Sequence, residues 1–155
     1  MNRKQIIYII LTIIWMITIF LFSNEKADSS TDTSKGLIYN VVSIYKNVIN
    51  KDIDVELICE KFDHPVRKTA HFTLYFILGF FVYHVFLYSK TNWKNLSTII
   101  ICLMYSISDE MHQIFVPGRS GQISDVFIDM CGVILLLLII NIFYELVKNG
   151  KSIKN

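Results

Sequence analysis

The chain has 155 residues and a mass of 18.1 kDa, enough for one domain, and 53% of its residues are hydrophobic against 18% charged. This composition is unusual for a soluble domain and typical of a membrane protein. Eleven Phe and eight Tyr, against six Gly and two Pro, exclude a disordered chain. A net charge of +2 is too small to indicate a nucleic-acid-binding protein.

The first apolar segment, residues 6–22, contains no charged residue and predicts a membrane-spanning helix. At about 1.5 Å per residue it is roughly 26 Å long, close to the hydrocarbon thickness of a bilayer. Arg3 and Lys4 precede it, so a cleaved signal peptide is the alternative. Because no A-x-A cleavage pattern follows, we expect a permanent anchor.

A long polar segment, residues 23–69, follows the first span. After a stretch rich in Ser, Thr and acidic residues, apolar residues recur at helical spacing, at Leu37, Ile38, Val41, Ile44, Tyr45, Val48 and Ile49. This spacing predicts a helix with one apolar face. Such a helix could lie in the membrane interface, cover the spans or serve only as a packing element.

Three further apolar runs, 70–88, 96–116 and 123–144, are each long enough to cross a bilayer. The last two contain or adjoin four acidic residues, each of which costs about 3 kcal/mol at the bilayer centre when ionised. We therefore expect neighbouring helices to shelter them. The sequence predicts one all-α domain over residues 1–155, an integral membrane bundle of four transmembrane helices. An extracytoplasmic loop between the first two carries the amphipathic helix.

Basic residues near the ends of the runs predict the orientation of the bundle. With four spans, one side holds Arg3, Lys4, Lys90, Lys94, Lys148, Lys151 and Lys154. Since lysine and arginine in short flanking segments favour the cytoplasmic side, both termini are expected to be cytoplasmic. The segment 23–69 has seven basic residues, but it also has eight acidic ones, and its length weakens its influence.

The remaining polar residues fall in one predicted layer near the outer ends of the second, third and fourth spans. Of the 13 acidic residues, eight lie in segment 23–69 and one, Glu145, lies at the opposite end, so four remain for this layer. Spacings of three and four residues place polar side chains on one face of each helix. The layer comprises Arg67, Lys68, His71, Tyr75, Asp109, Glu110, His112, Gln113, Ser124, Asp125 and Asp129, and the turn between the last two spans adds Arg119 and Ser120.

This combination of side chains suits chemistry on a phosphate. His71 is a candidate base or nucleophile, oriented by a carboxylate. The candidate catalytic set is His71, Asp109, Glu110, His112 and Asp125. The candidate substrate contacts are Arg67, Lys68, Tyr75, Gln113, Arg119 and Ser120.

Other roles are open to the same residues. The carboxylates of Asp109, Glu110, Asp125 and Asp129 could instead hold a divalent cation such as Ca²⁺ or Mg²⁺. A purely structural role is also available: Asp125 can cap the fourth helix, and Arg119 can neutralise a nearby acid.

Two stretches resemble the VanZ-like family of membrane proteins. They are RKTAHFTLYFILG, residues 67–79, and SDEMHQIFVPGRSGQISDVFIDMCG, residues 108–132. Leu74 departs from the pattern, since many relatives have a glutamate before the tyrosine. The resemblance implies a multi-pass protein of the bacterial plasma membrane. It also implies, through analogy with enzymes that exchange or cleave lipid head groups, a phosphoester or phosphodiester transferase or hydrolase.

Three functions are compatible with these observations. The first is an enzyme acting on a membrane lipid or a lipid-linked phosphate. The second is a non-catalytic protein that binds a lipid or a glycopeptide antibiotic, since the family's name is associated with teicoplanin resistance. The third, a transporter, is disfavoured because the inner halves of the spans have almost no ionisable residues. No GxxxG pattern indicates an oligomeric state.

Overall fold

The computed structural model describes residues 2–25, 36, 38–44, 55–89 and 91–152, and this part of the chain contains helices and turns but no strand. The four helices are α1 (Arg3–Ser23), α2 (Val55–Tyr88), α3 (Lys94–Gln113) and α4 (Ile123–Ser152). Residues 38–44 are helical as well. The predicted all-helical fold class is confirmed.

The helices form a bundle with α2 at its centre, because α2 packs against each of the other three. At one end of the bundle, the ammonium group of Lys4 lies 5.7 Å from the ring centre of Tyr88, and that of Lys94 lies 5.9 Å from the ring centre of Tyr144. We call this the basic end. The C-terminus of α1 and the N-terminus of α4 lie at the other end, so the helices run alternately in opposite directions.

The apolar core lies along the middle of α2. Tyr75 and Leu78 are completely buried and pack with residues of all three neighbouring helices, among them Ile19, Cys102 and Val133. Two long side chains add hydrogen bonds between helices. The indole N–H of Trp15 donates to the Leu74 carbonyl at 2.9 Å, and the hydroxyl of Tyr105 donates to the Met16 carbonyl at 2.6 Å. These bonds attach α1 to α2 and α3.

The outer surface of the bundle is apolar, whereas its buried polar side chains face inward. Large exposed side chains run along α1 and α3, including Ile10, Ile13, Ile17, Ile100, Met104, Ile107 and Met111. Water-soluble proteins cover such surface, so this distribution is typical of helices surrounded by lipid. Three helical segments are long and apolar enough to cross a membrane: Arg3–Ser23, His64–Tyr88 and Ile123–Asn149. The predicted third span, on α3, is not among them.

Helix α2 begins fifteen residues before the predicted span at residue 70. The polar residues preceding residue 70 suggested a loop, but helix formation depends on backbone hydrogen bonds and tolerates polar side chains. Pro65 lies inside α2, where its ring removes one backbone donor. The hydroxyl of Thr69 donates to the Pro65 carbonyl at 2.9 Å. Helix α2 therefore extends the second span beyond its apolar part.

The predicted amphipathic helix over residues 37–49 is only partly described. Within the helical residues 38–44, Ile38 is buried, whereas Val41 and Ile44 are exposed. Residues 37 and 45–49 lie outside the described residues. The amphipathic helix therefore stays a prediction.

Helix α4 crosses α2 closely at Gly132. A Cβ atom there would collide with the Phe72 carbonyl oxygen, whereas a Cβ at Gly79 would meet mainly the Leu136 side chain, at 3.2 Å.

We expect Gly132→Ala to destabilise the bundle by about 1–3 kcal/mol, because the Phe72 carbonyl belongs to the main chain and cannot rotate away from the added methyl group. Gly79→Ala should cost less, because the Leu136 side chain can move. Thermal unfolding of both proteins in detergent measures the difference, and an equal or smaller effect at Gly132 would contradict the close crossing.

Candidate functional site

Four ionisable side chains from three helices meet near the end of the bundle opposite the basic end. We call His71, Asp109, Glu110 and Asp129 the inner cluster. His71 comes from α2, the two adjacent acids from the last turns of α3, and Asp129 from the second turn of α4. Their exposed fractions are 9%, 4%, 5% and 0%, respectively. The packing of α3 and α4 against central α2 brings these side chains together.

Asp129 is the carboxylate next to His71. The hydroxyl of Ser106 donates to Asp129 Oδ2 at 2.6 Å, which holds the carboxylate in place. Asp129 Oδ1 lies 3.3 Å from His71 Nδ1. The two atoms form an ion-pair contact when His71 is protonated, and neither has another partner in the described part of the chain.

Sequence reasoning missed Ser106. Its hydroxyl interrupts an apolar run three and four residues before Asp109 and Glu110. That helical spacing places Ser106 on the same face of α3 as the two acids and could have identified it.

Glu110 is held by the turn between α3 and α4. The backbone N–H of Gln122 donates to Glu110 Oε2 at 2.8 Å, and the Gln113 amide donates to Oε1 at 3.4 Å. The turn approaches so closely that a Cβ at Gly121 would collide with the Glu110 carbonyl oxygen. Gly118 has a φ of 78°, which favours glycine. The two glycines thus allow the turn to fold against the acid.

Several buried polar atoms near His71 lack hydrogen-bond partners. Ser23 ends α1 beside Asp109. Among the described residues, neither the Ser23 hydroxyl, the Tyr75 hydroxyl nor either carboxylate oxygen of Asp109 has a partner. Most buried polar groups in folded proteins are paired, so such a concentration requires an explanation. Buried polar atoms without partners are expected where the interior of a protein binds a polar ligand or an ion.

Three cationic side chains lie at the same end of the bundle, and we call Arg67, Lys68 and Arg119 the cationic rim. Arg67 and Lys68 lie within one turn of His71 on α2, and Arg119, in the turn after α3, interacts electrostatically with Asp109, Glu110 and Arg67. Lys68 Nζ donates to Asp125 Oδ1 at 2.6 Å, so these two charges form an ion pair. Arg119 donates from one terminal nitrogen to the Phe22 carbonyl at 3.2 Å, while its buried Nε has no partner in the described segments. Burial and the nearby charge of Arg67 lower the pKa of Arg119, but a guanidinium remains charged at neutral pH.

Several predicted site residues have other contacts. His112 points toward α1, where Nε2 lies 3.3 Å from Asn24 Oδ1 and the ring packs against Phe20. Gln113 is buried and supports Glu110. Ser120 is exposed and its hydroxyl accepts a 3.4 Å hydrogen bond from the Gln122 amide. Asp125, predicted both as an acid and as a metal ligand, is paired with Lys68.

The apolar exterior, the alternating helices and the buried polar cluster are those of a helical membrane protein. The sequence profile of the VanZ/LLP1 family matches residues 8–144, nearly the whole chain. The chain therefore belongs to the VanZ/LLP1 family, which confirms the resemblance noted from its motifs. Searches of curated proteins and of solved structures gave no significant match.

The Lys68–Asp125 pair is expected to stabilise the contact between α2 and α4. Lys68→Met should destabilise the protein by about 1–3 kcal/mol, because Asp125 is 6% exposed and would keep an unpaired charge. Adding Asp125→Asn should restore part of this loss. A double-mutant cycle of the free energies of unfolding in detergent measures the coupling between Lys68 and Asp125. If the effects of the two substitutions are strictly additive, the ion pair does not contribute to stability.

Proposed function

We propose that this chain is a membrane enzyme that cleaves or transfers a phosphoester or phosphodiester bond in a lipid head group or a lipid-linked phosphate. The observation that supports this proposal is the position of the cationic rim beside the inner cluster, at one end of an apolar bundle. A lipid phosphate is anionic and lies at the end of the acyl chains. It could therefore meet this site while its chains stay in the bilayer.

The cationic rim is the proposed phosphate-binding group. Lys68 already has a carboxylate partner, whereas Arg119 keeps an unpaired Nε–H and lies close enough to Arg67 for their charges to interact. Glu25, Asp109 and Glu110 partly offset the charge of Arg119, and its unpaired Nε–H remains available to an additional anion. Phosphate oxygens match the planar donor geometry of arginine, which makes Arg67 and Arg119 the main contacts.

The inner cluster is the proposed reactive group. Transfer of a phosphoryl group forms a bond from the attacking hydroxyl oxygen to phosphorus and breaks the bond from phosphorus to the leaving alcohol oxygen. The attacking hydroxyl loses a proton, the leaving oxygen gains one, and the developing negative charge must be stabilised. His71, with Asp129 beside it, could accept that proton, or the cluster could hold a cation that activates the hydroxyl. Both roles make His71 necessary, and holding a cation also requires Glu110. The result for His71→Ala in the test below therefore does not depend on the choice between them.

We propose further that α3 spans the membrane with the other helices and that both termini are cytoplasmic. Helix α3 extends from the Lys94 contact at the basic end to the Glu110 contact at the opposite end, alongside α4. Its exposed residues are apolar except Ser108, whose hydroxyl donates to the Tyr105 carbonyl within the helix. The positive charges at the basic end favour the cytoplasmic side of a bacterial plasma membrane, which places the cationic rim and inner cluster at the outer surface.

Alkaline phosphatase fusions test this topology, because the phosphatase is active only outside the cytoplasm. We expect activity for a fusion after Ser120 and none after Asn92 or after the full chain. The matching fluorescent-protein fusions should show the reverse pattern. Equal alkaline phosphatase activities of the fusions at Asn92 and Ser120 would contradict a membrane span between these two residues.

The enzymatic proposal is tested by mass spectrometry of lipid extracts from cells expressing wild type, His71→Ala, Glu110→Ala or Glu145→Ala at matched levels. Glu145 is an exposed acid near the opposite end of the bundle and serves as the control for Glu110. We expect a change in a head group or lipid carrier with wild type and Glu145→Ala only, because the other two proteins lack an inner-cluster residue.

A lipid change that persists in His71→Ala or Glu110→Ala would contradict the proposed site. If no protein changes the lipids while wild type still alters teicoplanin susceptibility, the enzymatic proposal fails. Binding of a lipid or glycopeptide at the cell surface would then be the better explanation.

A further inference from the structure

We infer that His71, Glu110 and Asp129 bind one divalent transition-metal ion. Each residue offers one ligand atom, and these atoms lie within 4.8 Å of one another. The three ligands come from α2, α3 and α4, so the ion would join the three helices. Its use on a lipid phosphate rests on the proposed function, but its binding does not.

The contact between His71 and Asp129 has the dimensions of two ligands on one ion. Two ligand atoms about 2.1 Å from a metal, with a tetrahedral angle between them, lie roughly 3.4 Å apart. The observed separation of His71 Nδ1 and Asp129 Oδ1 is 3.3 Å. Neither atom has another partner in the described segments, so a bound ion would be able to replace the contact between them.

Other side chains already support the two acids, as is usual around a metal site. The Ser106 hydroxyl occupies Asp129 Oδ2 and leaves Oδ1 free. Gln113 and the backbone of Gln122 hold Glu110 through one oxygen each. Such hydrogen bonds fix the orientation of ligating carboxylates and tune metal affinity. These hydrogen bonds thus orient both acids, and a small movement of Glu110 would bring the three ligand atoms within the roughly 4.2 Å that one ion allows.

The charge of the inner cluster also favours a cation. Asp109, Glu110 and Asp129 are at most 5% exposed. In the described segments their one ion-pair contact is that of Asp129 with His71, since Lys68 pairs with Asp125. Arg119 interacts electrostatically with Asp109 and Glu110 but makes no ion-pair contact with either in the described segments. Buried carboxylates whose charge is only partly offset are costly in an apolar environment. A divalent ion would offset two negative charges at the place where they gather.

The ligand types indicate which metal would bind. One imidazole with two carboxylates suits Zn²⁺ or Mn²⁺, whereas Ca²⁺ prefers oxygen ligands alone. The sequence suggested four carboxylates around Ca²⁺ or Mg²⁺. The structure instead pairs Asp125 with Lys68 and brings His71 to the other acids. A bound ion would supply a Lewis acid for a phosphate oxygen held by the cationic rim.

Isothermal titration calorimetry of the full-length protein in detergent tests this inference with ZnCl₂, MnCl₂ and MgCl₂ added separately to metal-free protein. We expect about one site per chain, with Zn²⁺ bound more tightly than Mn²⁺ and Mn²⁺ more tightly than Mg²⁺. Glu110→Gln and Asp129→Asn should weaken Zn²⁺ binding more than 100-fold, because each removes a charged ligand. Glu145→Gln, the matched control, should bind like wild type.

A second variant keeps the test valid if a ligand substitution prevents folding. Ser106→Ala removes only the hydroxyl that holds Asp129 and should weaken Zn²⁺ binding by about 10–100-fold. Circular dichroism and gel filtration establish which variants are folded. The inference is overturned if wild type binds none of the three ions, or if the folded variants at positions 106, 110 and 129 all bind Zn²⁺ like wild type.

The outcomes for metal binding and for lipid chemistry are separable. Metal binding that depends on Glu110 and Asp129, without any lipid product, would support the ion site and contradict the proposed function. A lipid product formed by protein that binds none of the ions would support the function and overturn the ion site.

Discussion

The arrangement of the bundle depends on keeping ionisable side chains away from lipid. Each of α2, α3 and α4 carries acidic, basic or imidazole groups, and a charged group facing hydrocarbon is strongly unfavourable. The helices therefore present these groups to one another. The Lys68–Asp125 and Ser106–Asp129 contacts join α4 to its two neighbours at this level. Apolar side chains are left to cover the outside, and the glycine at residue 132 permits the close approach that the inner contacts require.

Neighbouring helices supply hydrogen bonds to only some of the polar atoms of the inner cluster. Ser106, Gln113 and the turn around Gln122 each donate to an acid, yet both oxygens of Asp109 and the Tyr75 hydroxyl remain unpaired in the part of the chain described. Replacing such groups by apolar residues often stabilises a protein. Their combination with arginines at the same end is therefore better explained by binding or chemistry than by stability alone.

Hydropathy and helical spacing were sufficient to predict the all-helical fold, because helical periodicity is a property of the local sequence. They could not predict which carboxylate meets His71. Asp109, Glu110 and Asp129 all lie in the predicted layer, and the choice depends on how far each helix rotates and slides against α2. His112 and Gln113 show the same limit: adjacent residues point about 100° apart on a helix, so one faces α1 and the other supports Glu110. Helix α2 also begins at Val55, within a polar stretch where hydropathy gives no signal.

The composition of α3 explains why it is not among the helices that are apolar enough to span a membrane, and why it is still proposed to do so. Its polar residues Ser106, Asp109, Glu110 and Gln113 are buried inside the bundle. Its exposed face carries Leu96, Ile100, Met104, Ile107 and Met111, together with Ser108, whose hydroxyl donates to the Tyr105 carbonyl within the helix. The mean hydropathy of a helix gives equal weight to its buried face and its exposed face. A bilayer contacts only the exposed face, and the buried polar groups are solvated by neighbouring helices. The criterion that matters for a helix inside a bundle is therefore the polarity of its outer surface, and by that criterion α3 resembles α1.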